Sequence, residues 1–229
     1  MLVNLKNYAE ATGARGGEIA EAALQSARAF RIKIAIAPPG PALALYAKEF
    51  PDLPVYAQHV DGLKVGKSTG ATVPEILQRY GICGVILNHS ERRISLQQVA
   101  AYVGRLGDLD MESIVCVRTS TEADLFARFE PTYIAIEPPE LIGSGRSISM
   151  VRPELIRDSF AAVRRVSKDT GLLIGAGIGS ARDISIGIGL GGGGVLLSSA
   201  MTTAEDPFNK MDELAGALKA ALKGEGRGK

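Results

Sequence analysis

Short β-rich runs and longer helical stretches alternate from one end of the chain to the other, and this alternation restricts the fold more than any other feature. The predicted strands cover residues 2–6, 33–37, 55–58, 84–88, 113–117, 133–137, 172–175 and 194–197, and helical patterns are predicted near residues 16–30, 41–50, 73–80, 95–106, 120–129, 153–169, 180–189 and 209–222. Neighbouring parallel strands need a crossover, so this order indicates a parallel sheet with helices packed on it. Eight strand–helix pairs in 229 residues favour an α/β architecture closed into a single (β/α)8 barrel. A doubly wound open sheet is the alternative. No linker or low-complexity block divides the chain, which reads as one domain over residues 1–229, with the polar, glycine-rich stretch 223–229 as a frayed end.

In such a barrel the chemistry gathers at the C-terminal ends of the strands. The polar residues stand there. Strand one ends Asn4-Leu5-Lys6, strand three Gln58-His59, strand four Asn88-His89-Ser90-Glu91, and strand six Glu137. Strands seven and eight run into Gly175-Ala176-Gly177-Ile178-Gly179-Ser180 and Ser198-Ser199. Polar groups at the ends of apolar strands are costly unless paired or used.

The most informative of these ends is Tyr133-Ile134-Ala135-Ile136-Glu137-Pro138-Pro139-Glu140-Leu141-Ile142-Gly143-Ser144-Gly145. Two prolines stop sheet and helix directly after Glu137. Gly143 and Gly145 free the far end of the following segment. A fixed carboxylate beneath a loop with one stiff and one flexible end suits a general base under a lid; the alternative is a strand-end carboxylate paired with a nearby cation. Asn4 and Lys6 share one side of strand one, where an ammonium can attract a phosphate and stabilise an oxyanion or simply be the first exposed residue. His89 precedes Ser90–Arg93, expected to open a short helical turn whose dipole would disfavour the charged imidazole; a structural histidine is the competing reading. The run Gly175–Ser180 has a superficial look of a dinucleotide fingerprint, but it lies late in the chain, lacks the third glycine and has no acidic partner in a following βαβ unit. Backbone amides after strands seven and eight suit phosphate instead, and Gly191–Gly194 reads as a tight turn into strand eight.

Composition limits the partners. A formal net charge of +1 gives no electrostatic case for nucleic acid or an anionic membrane, so an anionic ligand must be held locally. The two cysteines, Cys83 and Cys116, each sit in an apolar run and are expected to be buried thiols rather than a disulfide. No leader pattern and no membrane-spanning apolar run is seen, which leads to the expectation of a cytoplasmic protein.

Asn4-x-Lys6, the hexapeptide Asn88–Arg93, the stretch Ala135–Gly145 and Gly175-Ala176-Gly177-Ile178 together resemble triosephosphate isomerase in order and spacing, with the similarity closest to its short, archaeal-type form. The resemblance implies a TIM barrel that interconverts dihydroxyacetone phosphate and D-glyceraldehyde 3-phosphate through an enediolate, in glycolysis and gluconeogenesis, without a cofactor or metal. It implies Glu137 as the base, His89 as the neutral electrophile and Lys6 as the cation near the substrate oxygens and phosphate. Asn4 would support the oxygen site and Glu91 would orient His89. Gly143, Gly175, Ala176, Gly177, Ser198 and Ser199 would bind the substrate's anionic end, under a lid over residues 138–145. Residues 60–70 fall where the family has its subunit-contact loop, so a homo-oligomer, dimer or tetramer, is expected, with His59 in a structural or interface role. The chain has no tryptophan in the lid, where Pro139-Glu140-Leu141 stands, and Ser198-Ser199 replaces glycines usual in the longer form.

Overall fold

The computed structural model describes residues 1–62 and 64–225. Eight strands, β1 (Leu2–Asn4), β2 (Ala35–Ala37), β3 (Tyr56–Ala57), β4 (Gly84–Leu87), β5 (Glu112–Val117), β6 (Tyr133–Ile136), β7 (Gly171–Ile174) and β8 (Gly194–Leu197), form one parallel sheet in the order β2-β1-β8-β7-β6-β5-β4-β3. That order is cyclic. A parallel bridge from Ile36 to Val55 joins the two ends, so the sheet is a nearly closed barrel and the open doubly wound alternative is excluded.

Alternation within the strands explains the closure. Leu2, Ala35, Tyr56, Ile86, Ile114, Cys116, Ala135, Leu173 and Leu196 form an inner cluster, whereas Val3, Ile36, Val85, Val115, Ile134 and Val195 belong to the outer core beneath the helices. Both faces are buried, which is why the strands are apolar apart from their ends, such as Asn4 and Glu112-Ser113. The principal helices are α1 (Gly13–Phe30), α2 (Leu43–Glu49), α3 (Pro74–Arg79), α4 (Leu96–Asp108), α5 (Ser120–Ala127), α7 (Pro153–Val166), α8 (Ala181–Gly189) and α10 (Pro207–Glu225). Capping boxes, Ser95 with Gln98 and Ser180 with Asp183, fix the starts of α4 and α8. Two four-residue helices, α6 (Ile148–Val151) and α9 (Ser199–Thr202), are too short to print a 3.6-residue period.

Three expectations are corrected. Cys83 is exposed, because β4 begins only at Gly84 and the cysteine lies in the approach to it; Cys116 is buried, and both thiols are free. Residues 90–93 make a single turn closed by the Arg92 N–H on the His89 carbonyl at 2.9 Å, and the next helix starts at Leu96, so His89 does not stand at a helix N-terminus. Lys223–Glu225, expected in the frayed end, continue α10, with Leu222 packed against the core; residues 226–229 of that end lie outside the described residues. Among the described residues no helix is long and apolar enough to cross a membrane.

Candidate active site

Lys6 follows β1 with φ of 47°, a left-handed conformation that costs a side-chain-bearing residue roughly 1–2 kcal/mol. Neighbours hold it there. Its N–H donates to Asn4 Oδ1 at 3.0 Å, and Gln58 Nε2 donates to the Lys6 and Ala37 carbonyls, each at 2.9 Å. The Lys6 ammonium pairs with Glu91 Oε1 at 2.7 Å. Gln58 was legible as a polar strand end, but its two-carbonyl clamp depends on a contact between separate strands.

Asn88, also left-handed at φ of 58°, is fixed by its own side chain. Its Nδ2 donates to the Cys116 carbonyl at 2.9 Å, and its Oδ1 accepts from the Ile94 N–H at 3.2 Å. This turn delivers His89 to the mouth. The Glu91 N–H donates to His89 Nδ1 at 3.2 Å, so the ring proton resides on Nε2. That nitrogen lies 3.7 Å from Glu137 Oε2. Glu91 thus meets the imidazole through its backbone, at hydrogen-bond distance, while its carboxylate, more than half exposed, goes to Lys6.

Glu137 continues β6 by donating its N–H to the Val117 carbonyl at 2.8 Å. The residue is 3% exposed, and Oε2 has no hydrogen-bond partner among the described residues. Burial raises the pKa of its carboxyl; His89, a hydrogen bond from the Cys116 thiol, and Lys6 oppose that rise, and Glu91 adds to it. The result is a desolvated carboxyl with a vacant lone pair, the condition of a base rather than of a strand-end ion pair. The thiol is itself raised well above its usual range by burial and then by Glu137, so it stays a donor. Replacing Cys116 by Ala removes that donor, and the acid limb of the pH–rate profile is expected to move to higher pH. Turnover on the acid limb should fall about fivefold at a given pH, with little change on the plateau above it.

The segment after Glu137 is anchored and then freed. Pro139–Leu141 make a 3₁₀ turn, and Leu141, 1% exposed, inserts into the core. The Ser144 hydroxyl donates to the Leu141 carbonyl at 2.9 Å and accepts from the Arg146 N–H at 3.1 Å. Gly143 and Gly145 adopt φ of 67° and 70°. The far end docks on the loop after β7. The Ile148 N–H donates to the Ala176 carbonyl at 3.1 Å, and a Cβ at Gly177 would collide with the Arg146 carbonyl. Gly175 lies against the Glu137 side chain in the same way. Gly175 and Gly177 therefore serve close packing, with no dinucleotide turn.

A cleft of about 470 Å³ joins these parts, lined by Asn4, Lys6, His89, Glu137, Gly143, Gly175, Gly177, Ser198 and Ser199. Ala176 is fully buried and does not line it. Ser198 Oγ is buried with no hydrogen-bond partner. Ser180, the end of the glycine-rich run, also faces the cleft, as do Tyr8, Thr203 and Lys210, which nothing in the sequence marked; Lys210 sits in an ordinary amphipathic helix, paired with Glu213 at 2.8 Å. His59, near Asp61 at 3.5 Å, lines an adjoining hollow with Lys6 and Glu91; burial and then Arg92 lower its pKa. A desolvated carboxylate, an imidazole N–H and an ammonium around one cleft suit proton transfer next to a carbonyl on a small substrate.

A family model described as Triosephosphate isomerase matches residues 1–215. The protein named Triosephosphate isomerase from Cenarchaeum symbiosum is 47% identical over 218 residues, covering 95% of this chain and 97% of the relative. Those of the same name from Methanoculleus marisnigri and Pyrobaculum arsenaticum are each 40% identical over 218 residues, covering 95% of this chain and 98% and 97% of the relatives.

Proposed function

The chain belongs to the triosephosphate isomerase family, and from that premise we propose a division of labour among the residues of the cleft. The reaction is the interconversion of dihydroxyacetone phosphate and D-glyceraldehyde 3-phosphate, a step of glycolysis in this family. Glu137 takes a proton from one substrate carbon and returns it to the next. His89 donates from Nε2 to the oxygens as the enediolate forms, and Lys6 offsets the negative charge that develops there. A Glu base beside a neutral imidazole is already established for the family. The observation that carries its assignment to these residues is the buried, unpartnered Glu137 Oε2 facing the His89 N–H. Asn4 supports this end of the substrate, and Glu91 orients His89 through its amide.

The phosphate belongs at the other end of the cleft, where Gly143, Gly177, Ser198 and Ser199 supply amides and hydroxyls; the unpartnered Ser198 hydroxyl supports this. Gly175, expected among these donors, spends its N–H on the Ile136 carbonyl at 3.1 Å and packs against Glu137 instead. Ala176 contributes by fixing the loop, since its carbonyl holds Ile148. No cofactor or metal is needed for such a proton transfer. The 138–145 segment is the lid, and its closure excludes water from the enediolate. Deleting Ile142 and Gly143, which leaves Leu141 in the core, is expected to raise the fraction of turnovers ending in inorganic phosphate at least about tenfold. Phosphate release measured beside isomerisation checks this, and unchanged partitioning would remove the segment from the role of lid.

We read residues 1–229 as one catalytic domain that works in the cytoplasm on small phosphorylated substrates, without nucleic acid or membrane as partner. The 61–72 loop is pinned at its base by two hydrogen bonds of 2.8 Å between Asp61 and Thr72 and presents Val65 half exposed, which supports subunit contact in a homo-oligomer, dimer or tetramer. His59 stands at the base of that loop. Light scattering measures the assembly. The direct test of the activity is a purified-protein assay that starts from each triose phosphate in turn; absence of interconversion would overturn the reading.

A further inference from the structure

At the opposite, N-terminal end of the barrel lies a second cavity, of about 420 Å³, within the range of about 300–1,000 Å³ usual for small-molecule sites. Its floor is the bottom of the barrel interior, where Leu2, Ile114 and Leu173 meet the rings of Tyr56 and Tyr133. Its rim carries Arg31, Lys33, Lys219 and Lys223, and no carboxylate lines it among the described residues. Lys33 is neutralised by Glu112 at 2.5 Å, and Glu112 also accepts from the Tyr56 hydroxyl. Arg31, Lys219 and Lys223 have no ion pair among the described residues; Lys219 Nζ donates to the Arg31 carbonyl at 3.3 Å. Like charges gathered over a concave apolar surface raise a positive potential at its mouth.

We propose that this cavity is a binding site for a small carboxylic acid with an apolar or aromatic body, its body against the barrel floor and its carboxylate among Arg31, Lys219 and Lys223. The apolar part supplies affinity through burial, and the carboxylate selects for charge through hydrogen bonds from the cations. Nothing in the triose-phosphate chemistry uses this end of the barrel.

The test is calorimetric titration of the full chain with 3-phenylpropionate, with the cleft at the other end saturated by 2-phosphoglycolate. Saturable binding is expected for 3-phenylpropionate, and none for 3-phenylpropylamine, acetate or inorganic phosphate at the same concentrations. The double variant Lys219→Glu, Lys223→Glu is expected to bind at least about tenfold more weakly while its isomerase turnover stays at the wild-type level. Four results would overturn the proposal: no saturable binding of 3-phenylpropionate, equal binding of the amine, equal binding of acetate or phosphate, or a doubling of mass by light scattering through this face, which would make a second copy the occupant. The ligand series on the unaltered chain decides the matter even where the double variant fails to fold.

Discussion

Replacing Glu137 by Gln slows isomerisation at least about 10²-fold, the low end for loss of a general base, and at the same time makes the fold more stable at neutral pH. The first half follows from the position of Oε2, which faces the His89 N–H across 3.7 Å with no hydrogen-bond partner among the described residues. An amide there has the same shape and cannot take a proton. The second half follows from linkage. Burial lifts the folded-state pKa of this carboxyl above its unfolded value, so the folded chain prefers the neutral form. Whatever the neutral carboxyl contributes is fully present below the unfolded pKa and is lost as pH rises through the folded one. Gln carries no charge at any pH and keeps that contribution. The stability difference between variant and wild type should therefore be close to zero near pH 4 and should favour the variant near pH 8. Steady-state rates with glyceraldehyde 3-phosphate and thermal unfolding at both pH values check the two halves separately. Near wild-type turnover would remove Glu137 as the base; a variant less stable near pH 8 would show that its charge is better solvated than its burial implies. The combination expected is a common trade at active sites, where a group is held in an environment that suits its chemistry rather than the fold.

The sequence carried the architecture because parallel strands buried on both faces leave unbroken apolar runs, and because eight of them alternate with helices. It carried the three candidate reactive groups because Lys6, His89 and Glu137 are polar residues at the ends of such runs. Local periodicity could not carry features that arise from contact between distant segments. The Gln58 clamp on the Lys6 turn spans 52 residues of sequence, and the placement of Lys210 beside the cleft depends on how α10 packs. The Cys116 thiol beneath the base is a similar case: its strand position was readable, but its neighbour on β6 emerges only from the pairing of Cys116 with Ala135, two residues before Glu137. The expected helical turn after His89 failed for a related reason. Ser90–Arg93 has helical composition, yet Asn88 ties its side chain to β5 and to Ile94, and the chain turns instead. The imidazole meets the Glu91 amide at Nδ1 rather than the start of a helix.

The second large effect is expected at Gly175, which touches no reacting atom. A Cβ built on it would run into the Glu137 side chain, with Oε1 at 2.8 Å and Cδ at 2.9 Å, closer than any real Cβ contact. Three outcomes are open to Gly175→Ala: the end of β7 can shift, β6 can shift, or the carboxyl can swing away. The Gly175 N–H donates to the Ile136 carbonyl at 3.1 Å and Glu137 donates to Val117 at 2.8 Å, so both backbones are held by the ladder. The side chain is the softer element, and it moves. A displacement of about 1 Å at a catalytic group costs about 10²-fold, so kcat should fall about that much while KM changes little, because the amides at the phosphate end are untouched. The same substitution at Gly189, where no atom lies within 4 Å of the added Cβ, should leave kcat unchanged and serves as the control. The double variant Gly175→Ala, Glu137→Gln separates the mechanisms: if the methyl acts by displacing the base, adding it to the Gln variant costs almost nothing further, since residues that act as one unit are strongly non-additive. A full additional 10²-fold loss in the double variant would mean that the methyl acts on the substrate itself, by occupying space in the cleft, rather than through the base.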